Sequence, residues 1–434
     1  MRARTPLWRR LWWVLLGLPL AAAVLLATLA LRELRTPAPN AATPAAAAPS
    51  MEQVQRGAYL ARVGNCALCH SAPGGASYAG GKGIPTPFGT VYTSNLTPHP
   101  EHGLGRWSAD DFWQAMHLGR SRDGHLLYPA FPYTSFTQLA RDDSDALLAF
   151  LHTLPAAGQP NLPHALRWPY NSQWALAVWR VLNFAPAQAV ATAPAQGDAV
   201  LRGAYLVNGL GHCNECHGGR NAWGAPDLQQ TLSGATLPQS LWYAPSLRTA
   251  EQGSVAAWTL EDTVALLTTG TNRHASTSGP MAEVVHHSTQ YLQATDAQSM
   301  ARYLAQLPAA PARQVNTDPV TPANQPLGAR LYEAQCAQCH GKQGEGQANA
   351  YPALAGNRAV QMTPSNNLVL SVLQGGYGPS TQGRPQPHGM PPFQLVLNDA
   401  ELAAVLSYIR SAWGNQAPAL SEFDINKFRN LQAP

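Results

Sequence analysis

Cys66-Ala67-Leu68-Cys69-His70, Cys213-Asn214-Glu215-Cys216-His217 and Cys336-Ala337-Gln338-Cys339-His340 use up all 6 cysteines of the 434-residue chain. An even cysteine count in an exported protein ordinarily suggests disulfides, yet these come as three close pairs, each followed at once by histidine. The spacing suits covalent haem c. The two thiols can add to the two vinyl groups of one porphyrin, and the next residue offers its imidazole to the iron. A zinc site would have to combine pairs that lie far apart along the chain, and a redox dithiol would leave the three histidines unexplained. The expected cofactor is three covalently attached haem c. Cys66, Cys69, Cys213, Cys216, Cys336 and Cys339 hold the porphyrins, and His70, His217 and His340 are axial metal ligands.

Outward from these motifs the chain repeats itself. Arg56-Gly57-Ala58-Tyr59-Leu60 leads into the first, Arg202-Gly203-Ala204-Tyr205-Leu206 into the second and Gly328-Ala329-Arg330-Leu331-Tyr332 into the third, each reading as a helix that delivers the cysteines. Each repeat closes with an amphipathic stretch opened by aspartate, over 143–154, 296–307 and 399–413, where the acid can cap or favour a helix N-terminus. Residues 183–198 and 308–326 are rich in Ala, Pro, Gln and Thr and read as connections. The expected fold is mainly α, with three tandem cytochrome c domains at 51–182, 198–308 and 326–415, a tail at 416–434, and an N-terminal transmembrane helix ahead of them. Units this small have limited apolar cores, to which a buried porphyrin would add.

Composition agrees with loop-rich globular units, with 45% hydrophobic and only 12% charged residues, 37 prolines and 36 glycines. A net charge of +4 without basic runs beyond the N-terminus argues against a nucleic-acid partner. Arg2, Arg4, Arg9 and Arg10 precede the uncharged residues 11–31, which as a helix would cross a hydrocarbon layer about 30 Å thick. This places residues 1–35 as an anchor in a bacterial inner membrane, with the rest of the chain on the periplasmic face behind an Ala/Pro tether at 36–50. A cleaved secretory signal is the alternative reading of the same segment.

A second axial ligand completes a haem site, and Met there raises the reduction potential relative to a nitrogen ligand. Met281, in Ser278-Gly279-Pro280-Met281, and Met390, in His388-Gly389-Met390-Pro391, stand at matching places before Tyr303 and Tyr408. The chain has only 7 methionines, so two at corresponding positions beside Gly and Pro read as ligands rather than core filler. In the first repeat that place holds Phe131, in Tyr128-Pro129-Ala130-Phe131-Pro132-Tyr133, which cannot bind iron. His117 is the preferred substitute ligand, with Met116 or an open iron as alternatives.

These residues resemble the three-haem cytochrome subunits of bacterial membrane-bound dehydrogenases, the group that includes those of alcohol, gluconate and sorbitol dehydrogenases. The resemblance is carried by Thr86-Pro87-Phe88-Gly89-Thr90-Val91-Tyr92-Thr93-Ser94-Asn95-Leu96-Thr97-Pro98 with Gly105-Arg106-Trp107, by Gly279-Pro280-Met281-Ala282-Glu283-Val284-Val285, and by Tyr408-Ile409-Arg410-Ser411-Ala412-Trp413-Gly414-Asn415. It implies an electron-transfer subunit that takes electrons from a catalytic dehydrogenase subunit, molybdenum- or flavin/quinone-dependent, and passes them to a quinone or terminal oxidase. It also implies that Met281 and Met390 are ligands. The family usually has Met where Phe131 stands, and the Phe form is similar to cytochromes paired with molybdenum-containing hydroxylases.

Two other classes of function remain. A peroxidase-like haem enzyme would use a first-repeat iron without Met, and a terminal-oxidase subunit would need many more membrane helices than the single candidate. No dinucleotide fingerprint, nucleophile motif or non-haem metal cluster stands in the residues. His99, His102, His125, His152 and His164 read as surface or packing residues.

Overall fold

The computed structural model describes residues 7–35, 48–237, 240–310, 325–348 and 350–430, with side chains from Leu18 onward in the first helix. Most of the tether at 36–50 and of the connection at 308–326 lies outside these residues. The described chain is mainly helical. Its strands are short: an antiparallel set of Gly83–Thr86, Gly89–Tyr92 and Ala165–Leu166, and two two-stranded ladders of two-residue strands. Two bodies are distinguished, one made of the chain up to Gly57 with His70–Ala191, the other of Ala58–Cys69 with Thr192 onward.

One helix crossing is built three times. The leading helices are Met51–Val63, Ala199–Tyr205 continued by a π turn over Leu206–Leu210, and Gln325–Gln335. The closing helices are Arg141–Leu151, Ala294–Ala305 and Asp399–Ser411. At each crossing a glycine lets two backbones touch. A Cβ on Gly57, Gly203 or Gly328 would fall on the carbonyl oxygen of Ala146, Ser299 or Ala404, and 2.8 Å from the Cβ of Phe150, Tyr303 or Tyr408. The second leading helix has one residue more between its glycine and its first cysteine than the first helix has. The π turn absorbs it, with Gly211 N donating to Leu206 O at 2.7 Å, so the cysteine still arrives at the end of the helix.

The aspartates that open the closing stretches stand in the first turns of their helices, where an acid is favoured, and each also binds an arginine. Asp143 accepts from Arg56 Nε at 2.5 Å. Asp296 is fully buried and takes both prongs of Arg202, at 2.9 and 2.8 Å, with the Tyr59 hydroxyl donating at 2.6 Å. Both carboxylates pin the leading helix to the closing one. In the third repeat Leu327 replaces the arginine, and the position matching Asp296 is Glu401, which forms a reciprocal capping box with Asn398. Asp399 instead binds Arg429 at 2.7 Å, on a further helix, Glu422–Asn430. That helix buries Ile425 and Phe428 among Leu402, Leu406, Val369 and Leu373, so the C-terminal segment belongs to the third core rather than trailing from it.

The N-terminal reading needs correction. Among the described residues no helix is long and apolar enough to cross a membrane, which overturns the placement on the periplasmic face of an inner membrane behind a single-pass anchor. The physical reason lies in the last turns of the helix Leu7–Arg35, which carry Arg32, Glu33 and Arg35 and pack on protein. Ala30 is fully buried with Leu126, Leu176 and Ala177. Glu33 binds two nearly buried guanidiniums, Arg120 at 3.2 Å and Arg180 at 3.0 Å.

Candidate functional site

Each Cys-Cys-His motif occupies about one helical turn, in the helices Cys66–His70, Asn214–His217 and Ala337–His340. His217 N donates to Cys213 O at 2.9 Å and His340 N to Cys336 O at 3.0 Å, so the two cysteines, three residues apart, share a face. All six thiols are free of disulfides.

The three histidines are locked alike. His70 Nδ1 lies 2.7 Å from Ser94 O, His217 Nδ1 2.7 Å from Pro245 O and His340 Nδ1 2.9 Å from Pro352 O. A carbonyl only accepts, so each Nδ1 carries the proton and each Nε2 keeps a lone pair for a metal. Burial lowers the pKa of all three, against the opposing hydrogen bond, and so favours the neutral ring that a metal requires. A second clamp holds each histidine's own carbonyl. Gly80 N, Gly234 N and Gly346 N donate to His70 O, His217 O and His340 O at 2.7, 2.8 and 2.8 Å. All three glycines have positive φ, at 75°, 83° and 66°. Sequence reasoning missed these clamps because the glycine stands at a different spacing after each histidine. Ser94 was visible only as part of the family-like stretch.

Burial, helped by the neighbouring cysteine, pushes Cys66 and Cys213 up to about 12 and Cys336 up to about 11. Among the described residues no cluster of three or more His, Cys, Asp or Glu could hold a metal ion. Paired thiols beside an imidazole with Nε2 bare fit haem c.

The residues expected as opposite ligands are presented in three ways. Met281 stands in the first turn of the helix Gly279–His287, and Met390 in a two-residue strand, Gly389–Met390, paired with Gly376–Tyr377. Phe131 sits in a turn, its N–H donating to Tyr128 O at 3.0 Å and its ring 5.4 Å from that of Phe136. His117 is 5% exposed on the helix Ala109–Leu118 and stacks on Trp113 at 4.5 Å. Burial lowers its pKa, and its buried Nδ1 has no hydrogen-bond partner. Met116 is buried on the same helix. Five further histidines are packing or surface groups: His152 Nε2 meets Leu104 O at 3.0 Å, His99 and His102 stack, His164 accepts from Tyr92 N and His125 pairs with Asp123.

The family model described as Cytochrome c matches residues 326–413. The chain is 38% identical to the cytochrome c subunit of alcohol dehydrogenase (quinone) from Gluconacetobacter polyoxogenes, over 88% of this chain and 85% of that one. It is 38% identical to the gluconate 2-dehydrogenase cytochrome c subunit of Pantoea cypripedii, over 84% of this chain and 87% of that one. A nicotinate dehydrogenase subunit of Pseudomonas putida is 35% identical over 85% of this chain, which spans 31% of that protein. A repeated Cys-Cys-His geometry on a helical scaffold and likeness over most of the chain lead to one conclusion: this protein belongs to the family of dehydrogenase cytochrome c subunits.

Proposed function

We propose that the chain is a three-haem c-type cytochrome. It relays electrons from a catalytic dehydrogenase subunit, molybdenum- or flavin/quinone-dependent, to a quinone or a terminal oxidase, and has no substrate chemistry of its own. Three cytochrome c domains, at 51–182, 198–308 and 326–415, hold one haem each. The observation that carries this reading is the threefold lock of His70, His217 and His340, each with Nδ1 tied to a carbonyl. Haem iron supplies reversible one-electron exchange. The cysteine pairs tether the porphyrin, the neutral histidines present Nε2, and the thioethers of Met281 and Met390 favour a higher potential at the second and third sites. The names of the relatives, an alcohol, a gluconate and a nicotinate dehydrogenase, support a catalytic partner and leave its substrate class broad.

In the first repeat Phe131 offers no donor, and His117 is the proposed ligand, supported by its buried, partnerless Nδ1. Phe131 also favours one competing reading, a peroxidase-like haem enzyme with an open first site. A redox titration with optical spectra, with and without carbon monoxide, separates the two. The relay requires two high-potential transitions, each lowered separately by Met281→Ala or Met390→Ala, and one lower-potential transition indifferent to carbon monoxide until His117→Ala opens it. Carbon monoxide binding by the native protein would overturn the His117 assignment and favour the enzyme.

A further inference from the structure

Residues 241–243 of the second repeat are gripped by the third. Asn366 Nδ2 donates to Leu241 O at 2.7 Å, Asn367 Nδ2 donates to Tyr243 O at 2.7 Å, and Tyr243 N donates to Asn367 Oδ1 at 2.9 Å. Both asparagines open the helix Asn366–Gln374, which buries Leu368, Val369, Leu370, Val372 and Leu373 in the third core. The three bonds fix the main chain on both sides of Trp242, whose side chain packs against that core, as does Met390. The indole also lies on Gly279. A Cβ there would come within 2.5 Å of Trp242 Cε2 and 2.7 Å of Cδ2, and Gly279 has a φ of 51°. Met281 follows two residues later. The far end of the Met281 helix is fastened to the third repeat as well, through His286 Nδ1 and Ser380 O at 2.7 Å.

A methionine side chain has three rotatable bonds and cannot place its own sulfur, so a ligand methionine needs a fixed main chain beneath it. Around Met281 that support is the indole of Trp242, and Trp242 is held by the third repeat. We propose that Trp242 is a positioning residue for Met281, and that the third repeat thereby sets the ligand geometry of the second site. This rests on Met281 being the axial ligand proposed above.

The test compares Trp242→Ala, Trp242→Phe and the double variant Asn366→Ala/Asn367→Ala in the full-length holoprotein, with Met281→Ala and Met390→Ala as references. Readouts are the two haem potentials and the charge-transfer bands of Met-ligated ferric haem. Trp242→Ala should lose the band that Met281→Ala abolishes and lower the same potential, while leaving the Met390 band in place. Trp242→Phe should restore most of both. The double variant, with both substitutions in the third repeat, should shift the second site's potential in the same direction by less. Unchanged bands and potentials in Trp242→Ala, or, where that variant does not fold, in the double variant, would overturn the inference. If Met281→Ala itself alters nothing, the ligand assignment fails instead.

Discussion

The second and third repeats build the same geometry with different fastenings. Each crosses its two helices at a glycine, locks its histidine to a proline carbonyl and offers a methionine. The second pins the crossing with a buried Arg202–Asp296 pair, whereas the third has Leu327 and a capping box at the matching places and recruits an extra C-terminal helix. What recurs is the geometry around the imidazole and the backbone contact behind it. The pins differ, because a buried ion pair and an apolar contact can serve the same crossing at comparable net stability.

The largest expected effect lies in the second repeat. Asp296→Ala removes both carboxylate contacts of the buried Arg202 guanidinium and should cost about 3–5 kcal/mol in denaturant unfolding of the holoprotein. Glu401→Ala, at the matching place, removes only a cap and should cost about 1 kcal/mol. Equal losses at the two positions would break the comparison. The shared feature should respond equally: Gly203→Ala and Gly328→Ala each force a methyl group onto a carbonyl and should cost about 2 kcal/mol by the same measurement.

The smallest effect is an acid sensitivity at Asp399 in the third repeat. Burial favours the neutral Asp399 carboxyl, but hydrogen bonds from Asn426 and Arg429 and the Arg429 charge outweigh it and hold the pKa below its ordinary value. A depressed native pKa means that this stabilisation is present above the unfolded value, about pH 4, and is lost as pH falls through the native one. The contribution should be under about 1 kcal/mol for a partly exposed pair. Asp399→Asn should flatten that part of the acid unfolding profile, and an unaltered profile would remove Asp399 from the C-terminal helix's anchorage.

Much of this was legible in the residues. The motifs repeat at full strength, and Gly57, Gly203 and Gly328 mark the crossings because only glycine allows backbones so close. The pins made by the aspartates at 143 and 296 did not show, because an acid at a helix start is favoured in any case and their arginines lie on a helix distant in sequence. The carbonyls of Ser94, Pro245 and Pro352 were hidden because a main-chain acceptor leaves no side-chain signature. Hydropathy over residues 11–31 read as a span, while Glu33, in the same helix, is committed to Arg120 and Arg180.

The central claim is that all three motifs carry haem. Intact-mass spectrometry of the holoprotein tests it most directly. The expected result is the chain mass plus three haem groups, reduced by one when Cys66 and Cys69, Cys213 and Cys216, or Cys336 and Cys339 are replaced as a pair. A native mass carrying one or two haems would contradict it.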